Sequence, residues 1–416
     1  MKADSLVITG LGAVTPYGLG SENLWSGVTE GRDVLRRIER FEAGRYLSKV
    51  AGTCDLRVGD HISDRKAKRM DRFSHLGLVA SREAISQSGI DIGSDVDPER
   101  VGVFVGNVLG GWEFAERELR HLWVQGVRNV SPYQATAWFP TALQGQMCME
   151  FGVKGMSRTL IADRASSAHA FIQAAMAIQR GDIDVAVVGG SEAPLSPYGW
   201  LCVQASQTAA RTGEDTDGKA YRPFQQGHSG TLYAEGAAFV VLETAAHAFA
   251  RGACPMAELA GWARTSDAYM PHFTVEPTGR HYAAAIRTAL SRAGVGSDRI
   301  AAIFAAGSGI PFEDVTEGYA ISAVFGEKIP VTAPKSFFGS LLGASAAADV
   351  VLATLSMTKG LMPATRDARE LAVDVGISLL RECAPMDGGL GTCVLSRGLG
   401  GCNAALVLLP IEQDWS

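Results

Sequence analysis

The 416-residue sequence is poor in the residues that build disulfide or metal frameworks. Its seven cysteines are odd in number and scattered, and no pair shows the CxxC spacing of a zinc or redox site. We therefore expect reduced thiols in a cytoplasmic protein, with no metal site and no disulfide framework. The cysteines are Cys54, Cys148, Cys202, Cys254, Cys383, Cys393 and Cys402.

Long apolar runs and excess basic charge are missing as well. No run reaches the roughly 18 apolar residues that a membrane span needs, and the opening "MKADSLVITG" passes directly into a strand-like run, so we expect neither anchor nor signal peptide. The formal net charge of -6 argues against nucleic acid or an anionic membrane as a partner. We interpret the arginine clusters at 32–40 and 65–72 as solvated faces, and a local basic patch is the alternative.

The composition allows a large core, being 47% hydrophobic and 20% charged. Ten apolar runs are predicted to be β-strands, and most are continuously apolar, as in strands covered on both faces. Helical stretches lie between them, so the sequence predicts an α/β fold with parallel crossovers. The runs are Leu6–Gly10, Val101–Gly106, Thr159–Ala162, Val185–Gly190, Ala237–Glu243, Met256–Arg264, Ile300–Gly307, Val331–Pro334, Thr392–Gly398 and Ala404–Pro410.

The two halves of the chain echo each other. In residues 165–190 an alanine-rich helix ends at a Gly-Asp pair before a strand, and residues 339–360 hold a second helix of the same kind. Helices with small residues on every face are buried rather than amphipathic. We therefore predict one internally duplicated, five-layered αβαβα unit, with halves at 1–250 and 251–416 and no linker between them. The segment "VLSRGLGGCNAALVLLP" is predicted to be a closing hairpin.

From "VITGLGAVTPYG" near the start to "GLGGCNAALVL" near the end, the chain resembles the β-ketoacyl synthases. The resemblance implies a thiolase-like fold. Enzymes of this family condense acyl chains with malonyl units carried on acyl carrier protein. They use a cysteine nucleophile at the N-terminus of the buried helix, together with two histidines.

The resemblance locates these three catalytic positions, and none of them holds its usual residue. Counting back from Gly181 puts Arg164 at the nucleophile position, and a guanidinium cannot attack a thioester. In "AGSGIPFEDVTE" Ala306 replaces the first histidine, and in "KSFFGSLLGA" Ser340 replaces the second. None of the eight histidines follows Ile300. The sequence therefore predicts a framework without condensing chemistry, because acyl transfer needs a thiolate.

This triple loss is typical of the chain length factor, or KSβ subunit, of type II polyketide synthases. Residues 106–146, "GNVLGGWEFAERELRHLWVQGVRNVSPYQATAWFPTALQGQ", resemble the dimer-interface segment of that subfamily, and "LSPYGWLCVQAS" also matches it. The resemblance implies a heterodimer with an active ketosynthase, KSα, and a shared tunnel for the growing polyketide chain. Substrates would arrive on the phosphopantetheine of acyl carrier protein, with no cofactor bound by this chain. The chain alone would be a pseudoenzyme.

The same segment is expected to set product length. The resemblance places tunnel-lining side chains at i, i+3 and i+7 of one helix, here Trp112, Ala115 and Leu119, and a further one at Thr136. Ala115 and Thr136 are small, so we expect a deep tunnel with Trp112 as its floor or gate. The alternative is that this face is ordinary interface core. The product is expected to be a polyene or an aromatic polyketide.

The position of Arg164 typically holds glutamine in this subfamily. We predict that Arg164 is structural and pairs with a carboxylate such as Asp163 or with turn carbonyls, because an unpaired buried charge is costly. Contact with a malonyl carboxylate is the alternative. It belongs to a second hypothesis, a malonyl-carrier decarboxylase or condensing enzyme with a non-standard site. In that hypothesis Arg164 orients malonate, and Ser166 or Ser340 donates to the enolate.

Four further residues near the site are expected to be structural. The resemblance retains Asp314 and Glu317 in the first histidine's segment and Lys335 in the second's. We predict an ion pair between Lys335 and Glu317, and a structural role for Glu235 at a turn beside the site. The interface with the partner is expected to include the strand after Arg180 as well as residues 106–146.

Overall fold

The structure is a computed structural model and describes residues 2–213, 218–269, 275–368, 370–372 and 376–411. Its strands are β1 (Leu6–Thr15), β2 (Gly18–Leu19), β3 (Leu35–Arg37), β4 (Val50–Gly52), β5 (Val101–Gly106), β6 (Arg158–Leu160), β7 (Val185–Glu192), β8 (Gly236–Thr244), β9 (Ala257–Ser266), β10 (Ile300–Phe304), β11 (Pro330–Thr332), β12 (Leu361–Met362), β13 (Ser378–Leu379), β14 (Ala384–Pro385), β15 (Gly391–Gly398) and β16 (Cys402–Leu409). Its α-helices are α1 (Ser21–Thr29), α2 (Asp64–Ala67), α3 (Arg72–Ser88), α4 (Trp112–Gln125), α5 (Gln134–Ala137), α6 (Ala142–Phe151), α7 (Ser166–Gln179), α8 (Pro197–Ala205), α9 (Ala245–Ala250), α10 (Arg280–Ala293), α11 (Pro311–Phe325), α12 (Lys335–Phe338) and α13 (Ser345–Lys359).

The main strands of the two halves follow one topology. Across the sheet, the N-terminal half has the order β6-β5-β7-β8-β1, and the C-terminal half has the order β11-β10-β15-β16-β9. In the N-terminal half β6 and β7 run parallel to β5, and β8 runs antiparallel to its neighbours β7 and β1. In the C-terminal half β11 and β15 run parallel to β10, and β16 runs antiparallel to its neighbours β15 and β9. The shared order confirms the internal duplication. The half-sheets join where Val7 pairs with Glu258 and Ile8 with Ala257.

Helices α7 and α13 form the middle of five layers. They contact each other and strands of both half-sheets, and their alanines belong to the central apolar cluster. Because a sheet lies on either side, small residues are needed on more than one face of each helix. Helix α3 covers the outer face of the N-terminal half-sheet, and α10, backed by α11, covers that of the C-terminal half-sheet. The predicted αβαβα architecture is therefore confirmed.

All ten predicted strand runs overlap observed strands, and β15 and β16 form the predicted hairpin, closing with the pair Gly398 and Cys402. The sheet is mixed rather than purely parallel, because the fourth and fifth main strands of each half are antiparallel. Among the described residues, none of the helices combines the length and the hydrophobicity that crossing a bilayer requires.

One expectation about the interface is wrong. The strand after Arg180 is β7, which lies between β5 and β8 with all eight of its residues buried. A strand hydrogen-bonded on both sides and covered on both faces has no surface to offer a partner. The strand at the edge of the N-terminal half is β6.

Candidate active-site cavity

The three degenerate positions lie around one small cavity. Arg164, Ala306 and Ser340 line it, and its volume is about 20 Å³, roughly the space that one water molecule occupies. A space of that size does not hold an acyl thioester. None of the described residues that line it is a cysteine or a histidine. The remaining lining residues are Tyr221, Thr231, Ser308, Lys335, Ser345, Asp349, Leu395, Ser396 and Arg397.

A strained turn between β6 and α7 projects Arg164 into this cavity. Asp163 in the turn has a φ of 49°, a left-handed conformation that few residues other than glycine adopt. Ser166 stabilises the turn, since its Oγ accepts from the Ala162 amide at 2.9 Å and donates to the Asp163 carbonyl at 2.6 Å. Gly106 lets α7 approach β5, because a Cβ there would lie 2.2 Å from the Ser167 nitrogen.

The guanidinium of Arg164 is fully engaged. Nη1 and Nη2 donate to the two carboxylate oxygens of Glu313 at 2.9 and 2.8 Å, and Nε donates to Asp163 at 3.3 Å. Arg164 is 6% exposed and Glu313 is 4% exposed. Burial alone would lower the pKa of Arg164, but the Glu313 and Asp163 carboxylates outweigh it and hold that pKa well above its usual value. The pair is a buried, bidentate salt bridge.

Sequence reasoning found Asp163 but missed Glu313, the main partner. Glu313 stands in "PFEDVTE", a stretch with three acids, of which the sequence analysis used only Asp314 and Glu317. Glu313 and Glu317 are four residues apart and both lie on α11, which begins at Pro311, so they share a helix face. That spacing was the available signal.

The predicted ion pair between Lys335 and Glu317 is wrong. Lys335 Nζ lies 2.5 Å from Asp349 Oδ2, on α13. Its ammonium also donates to the Ala306 carbonyl at 3.3 Å. The pair is buried, and burial raises the pKa of Asp349 against the opposing effect of Lys335.

Glu317 instead holds the backbone that follows β10. Its two carboxylate oxygens accept from the amides of Ala306 at 2.8 Å and Gly307 at 2.9 Å. Burial raises the pKa of Glu317, while these amide donors lower it. The Glu317 carboxylate therefore fixes the loop that contains Ala306, the residue at the position of the family's first histidine.

Asp314 and Glu235 are also buried and fully bonded. Asp314 lies 2.9 Å from His228 Nδ1 and accepts from two backbone amides; burial raises its pKa and the His228 contact opposes this. Glu235 accepts from Arg72 Nε and Nη2, both at 2.7 Å, and from Arg40 Nη1 at 2.9 Å. These contacts are those of framework residues.

The four predicted tunnel residues lie on α4 and α5. Ala115 is 2% exposed, whereas Leu119 is 41% exposed and Thr136 is also exposed. Trp112 is half-buried, with its ring centroid 4.8 Å from that of Tyr198. Three of the four side chains therefore reach the surface of the isolated chain, and only Ala115 is enclosed by it.

Large apolar side chains are exposed on the elements around these residues. Helix α4 contacts α5 and α8, and α6 packs on β5, which pairs with the edge strand β6. Large exposed apolar side chains on several neighbouring elements are typical of a protein–protein interface. The exposed side chains on and beside these elements are Leu119, Trp123, Val124, Val127, Phe139, Met149, Ile161, Tyr198 and Leu201.

Comparison with known proteins places the chain in a family. The model of the β-ketoacyl synthase N-terminal domain matches residues 3–248, and that of the C-terminal domain matches residues 256–369. The chain belongs to the β-ketoacyl synthase family. This confirms the resemblance that the sequence motifs indicated.

Relatives within the family include both 3-oxoacyl-[acyl-carrier-protein] synthases and polyketide ketoacyl synthase subunits. The tetracenomycin polyketide synthase ketoacyl synthase beta subunit of Streptomyces glaucescens is 34% identical over 407 residues, covering 97% of this chain and 98% of that protein. A 3-oxoacyl-[acyl-carrier-protein] synthase 2 of Staphylococcus aureus is 32% identical over 415 residues, covering 98% of both. A chain of the ishigamide ketosynthase/chain length factor superposes with a TM-score of 0.86 at 26% identity, covering 99% of this chain and 100% of that one.

Proposed function

We propose that this chain is a chain length factor, the non-condensing subunit of a ketosynthase heterodimer in polyketide biosynthesis. The observation that carries the proposal is the buried Arg164–Glu313 pair at the nucleophile position. It fills that position with a charge that is already neutralised, in a cavity of about 20 Å³. The similarity to a polyketide ketosynthase beta subunit supports the same function.

The chemistry that condensation requires is missing from the cavity. A thiolate nucleophile is needed, and donors must stabilise the enolate oxygen that forms on decarboxylation. Among the described lining residues none is a cysteine. Burial raises the pKa of the Cys393 thiol to about 12, so that thiol stays protonated. Ser340 Oγ lies 3.0 Å from Ser345 Oγ, so the two hydroxyls bond to each other. The carboxylate that lines the same cavity, Asp349, is paired with the Lys335 ammonium, which weakens it as a base for either hydroxyl.

The geometry opposes the second hypothesis, malonyl decarboxylation or condensation by a non-standard site. A malonyl carboxylate would have to displace Glu313 from both terminal nitrogens of Arg164, and it would leave Glu313 buried without a cation. Arg164 is therefore best explained as a structural residue that closes the pocket.

The role of the chain in the heterodimer follows from its surface. We infer that KSα covers the exposed apolar side chains around α4 and β6, in an interface of the obligate kind, about 2,000 Å² or more. Trp112, Ala115, Leu119 and Thr136 would then line a shared tunnel, of which Ala115 forms a part that lies within this chain. The cysteine of KSα would form each carbon–carbon bond, on substrates carried by the phosphopantetheine of acyl carrier protein, to give a polyene or an aromatic polyketide.

We also infer that the halves divide at 1–250 and 251–416, between α9 and β9. The free cysteines fit a cytoplasmic site of action.

The test compares three samples with malonyl-loaded acyl carrier protein: this chain alone, KSα alone and the co-expressed pair. We expect no decarboxylation by the chain alone and full-length polyketide from the pair, measured by mass spectrometry of carrier-bound intermediates. Ala115→Phe in the pair should shorten the product, because a larger side chain would fill the wall of the tunnel. Unchanged length in an assembled Ala115→Phe heterodimer would remove the tunnel assignment. If the pair decarboxylated malonyl groups and Arg164→Ala abolished that activity without loss of the heterodimer, the second hypothesis would be favoured.

A further inference from the structure

We propose that Asp71 and Glu192, two buried carboxylates outside the tunnel, are specificity-determining positioning residues. They hold the start of α4 against the body of the subunit and thereby set where Trp112, Ala115 and Leu119 stand. The inference rests on the proposed function of α4, and it concerns residues that neither line the tunnel nor touch the degenerate cavity.

Asp71 caps two helices with one carboxylate. As the N-cap of α3 its Oδ1 accepts from the Phe73 amide at 3.0 Å, while Oδ2 accepts from the Phe114 amide, in the first turn of α4, at 2.6 Å. Helix α4 has no side-chain cap of its own, because its N-cap residue is Gly111. The first amides of a helix have no partner within it, so Asp71 supplies α4 with a bond that it otherwise lacks.

Glu192 fixes the loop between β5 and α4. It stands at the end of β7 and is 0% exposed. Its Oε1 accepts from the Val108 amide, and Oε2 lies 3.4 Å from the Leu109 amide. The five residues from 107 to 111 are thus held by Glu192 near their start, and Asp71 holds the helix just beyond their end.

The same loop is bonded to α5, which carries Thr136. The Gly111 amide donates to the Trp138 carbonyl at 2.9 Å, and a Cβ at Gly111 would lie 2.1 Å from the Ala137 carbonyl oxygen. A movement of the loop therefore moves both elements that carry tunnel residues. A slip of about 1.5 Å along α4 equals the rise of one residue and would bring a different side chain to the tunnel wall.

Burial disfavours the charged form of both carboxyl groups. It raises the pKa of Asp71 to about 7 and that of Glu192 to about 8, against the opposing effect of the amide donors. If this position capped α3 alone, a serine could do so without a buried charge, because its hydroxyl accepts from the same helix-start amides. The second oxygen of Asp71 is what α4 uses.

The test measures product-length distributions of assembled heterodimers by mass spectrometry. Asp71→Ser keeps a hydroxyl to cap α3 but is too short to reach Phe114. We expect a distribution that broadens or shifts by one or more two-carbon units. Asp97→Ser is the matched control, because Asp97 makes the same kind of cap to Glu99 at 2.9 Å on a short surface helix. A merely structural role would lower heterodimer yield or melting temperature in Asp71→Ser without changing product length.

Glu192 supplies a second, independent arm. Glu192→Ala removes the acceptor and should shift product length, whereas Glu192→Gln keeps an acceptor oxygen for Val108 and should restore the native length. This arm decides the matter if Asp71→Ser does not assemble. Unchanged lengths in Asp71→Ser and Glu192→Ala, beside a shortened product in Ala115→Phe, would overturn this inference alone. Unchanged lengths in all three would overturn the proposed tunnel as well.

Discussion

Removal of Glu313 is the perturbation that most directly probes the closed pocket. Arg164 is 6% exposed in the native structure, and Glu313→Ala would leave its guanidinium with the 3.3 Å contact from Nε to Asp163 as its remaining carboxylate contact among the described residues. Removing one partner of a buried pair leaves a charge that neither water nor protein neutralises. Such losses cost about 3–5 kcal/mol of unfolding free energy.

The size of the chain converts this loss into a measurable temperature shift. With an unfolding entropy of about 2.1 cal/mol/K per residue over 416 residues, the loss corresponds to a fall in melting temperature of about 3–6 °C. The double variant Arg164→Gln with Glu313→Gln replaces the pair by neutral amides of similar size. It should recover most of that loss, because both partners are removed together.

The assay is thermal unfolding of the purified heterodimer, with co-purification yield measured in parallel. Glu150→Ala is the control, since Glu150 bridges Lys66 and Arg82 with 23% of its side chain exposed and should cost about 0–1 kcal/mol. A melting temperature of Glu313→Ala equal to that of the wild type would contradict this explanation. So would a double variant whose loss of stability equals the sum of the losses of Arg164→Gln and Glu313→Gln measured singly.

Other parts of the molecule give four further predictions. Because burial raises the pKa of Glu192 to about 8, its contribution to stability falls as pH rises from about 5 to about 8, and Glu192→Gln should flatten the melting-temperature profile over that window. Burial would also raise the pKa of Glu243, but hydrogen bonds from neighbouring cationic side chains lower that pKa to about 2. Glu243→Gln should therefore lose stability at pH 7 and little more on acidification. A melting-temperature profile that changes in the same direction for Glu192→Gln and Glu243→Gln would contradict this. Gly111→Ala should push α5 away, because the new Cβ would lie 2.1 Å from the Ala137 carbonyl, and change product length in mass spectra; a native length would show that the contact relaxes elsewhere. Ile161→Arg, at a side chain 61% exposed beside β6, should abolish the heterodimer on size exclusion while the chain stays folded by circular dichroism; an intact heterodimer would place the interface elsewhere.

The sequence was sufficient for the strands and the layers because those signals are local. A continuous apolar run such as Val101–Gly106 identifies a strand covered on both faces, and the observed β5 has the same bounds. Alanine on every face of 166–179 likewise predicted a helix between two sheets. The order of the strands is not local, and this is why the strand after Arg180 was assigned to an interface when it lies inside the sheet.

The site shows the same division between local and distant contacts. The motifs identified Arg164 and Ser340, and both line the cavity. The ion-pair partners were harder to predict, since Glu313 is 149 residues from Arg164 and each charged residue had several acids to choose from. Lys335 was paired with Glu317 because the family resemblance retains both residues, whereas the fold brings Asp349 to Lys335 and commits Glu317 to backbone amides.

Intact-mass spectrometry of both subunits during turnover shows which of them carries the growing chain. The heterodimer is incubated with acyl- and malonyl-loaded acyl carrier protein, quenched in acid and separated. We expect KSα to gain acyl mass at its cysteine while this chain keeps its unmodified mass at every time point. An acyl adduct on this chain that is extended by two-carbon units would contradict this expectation.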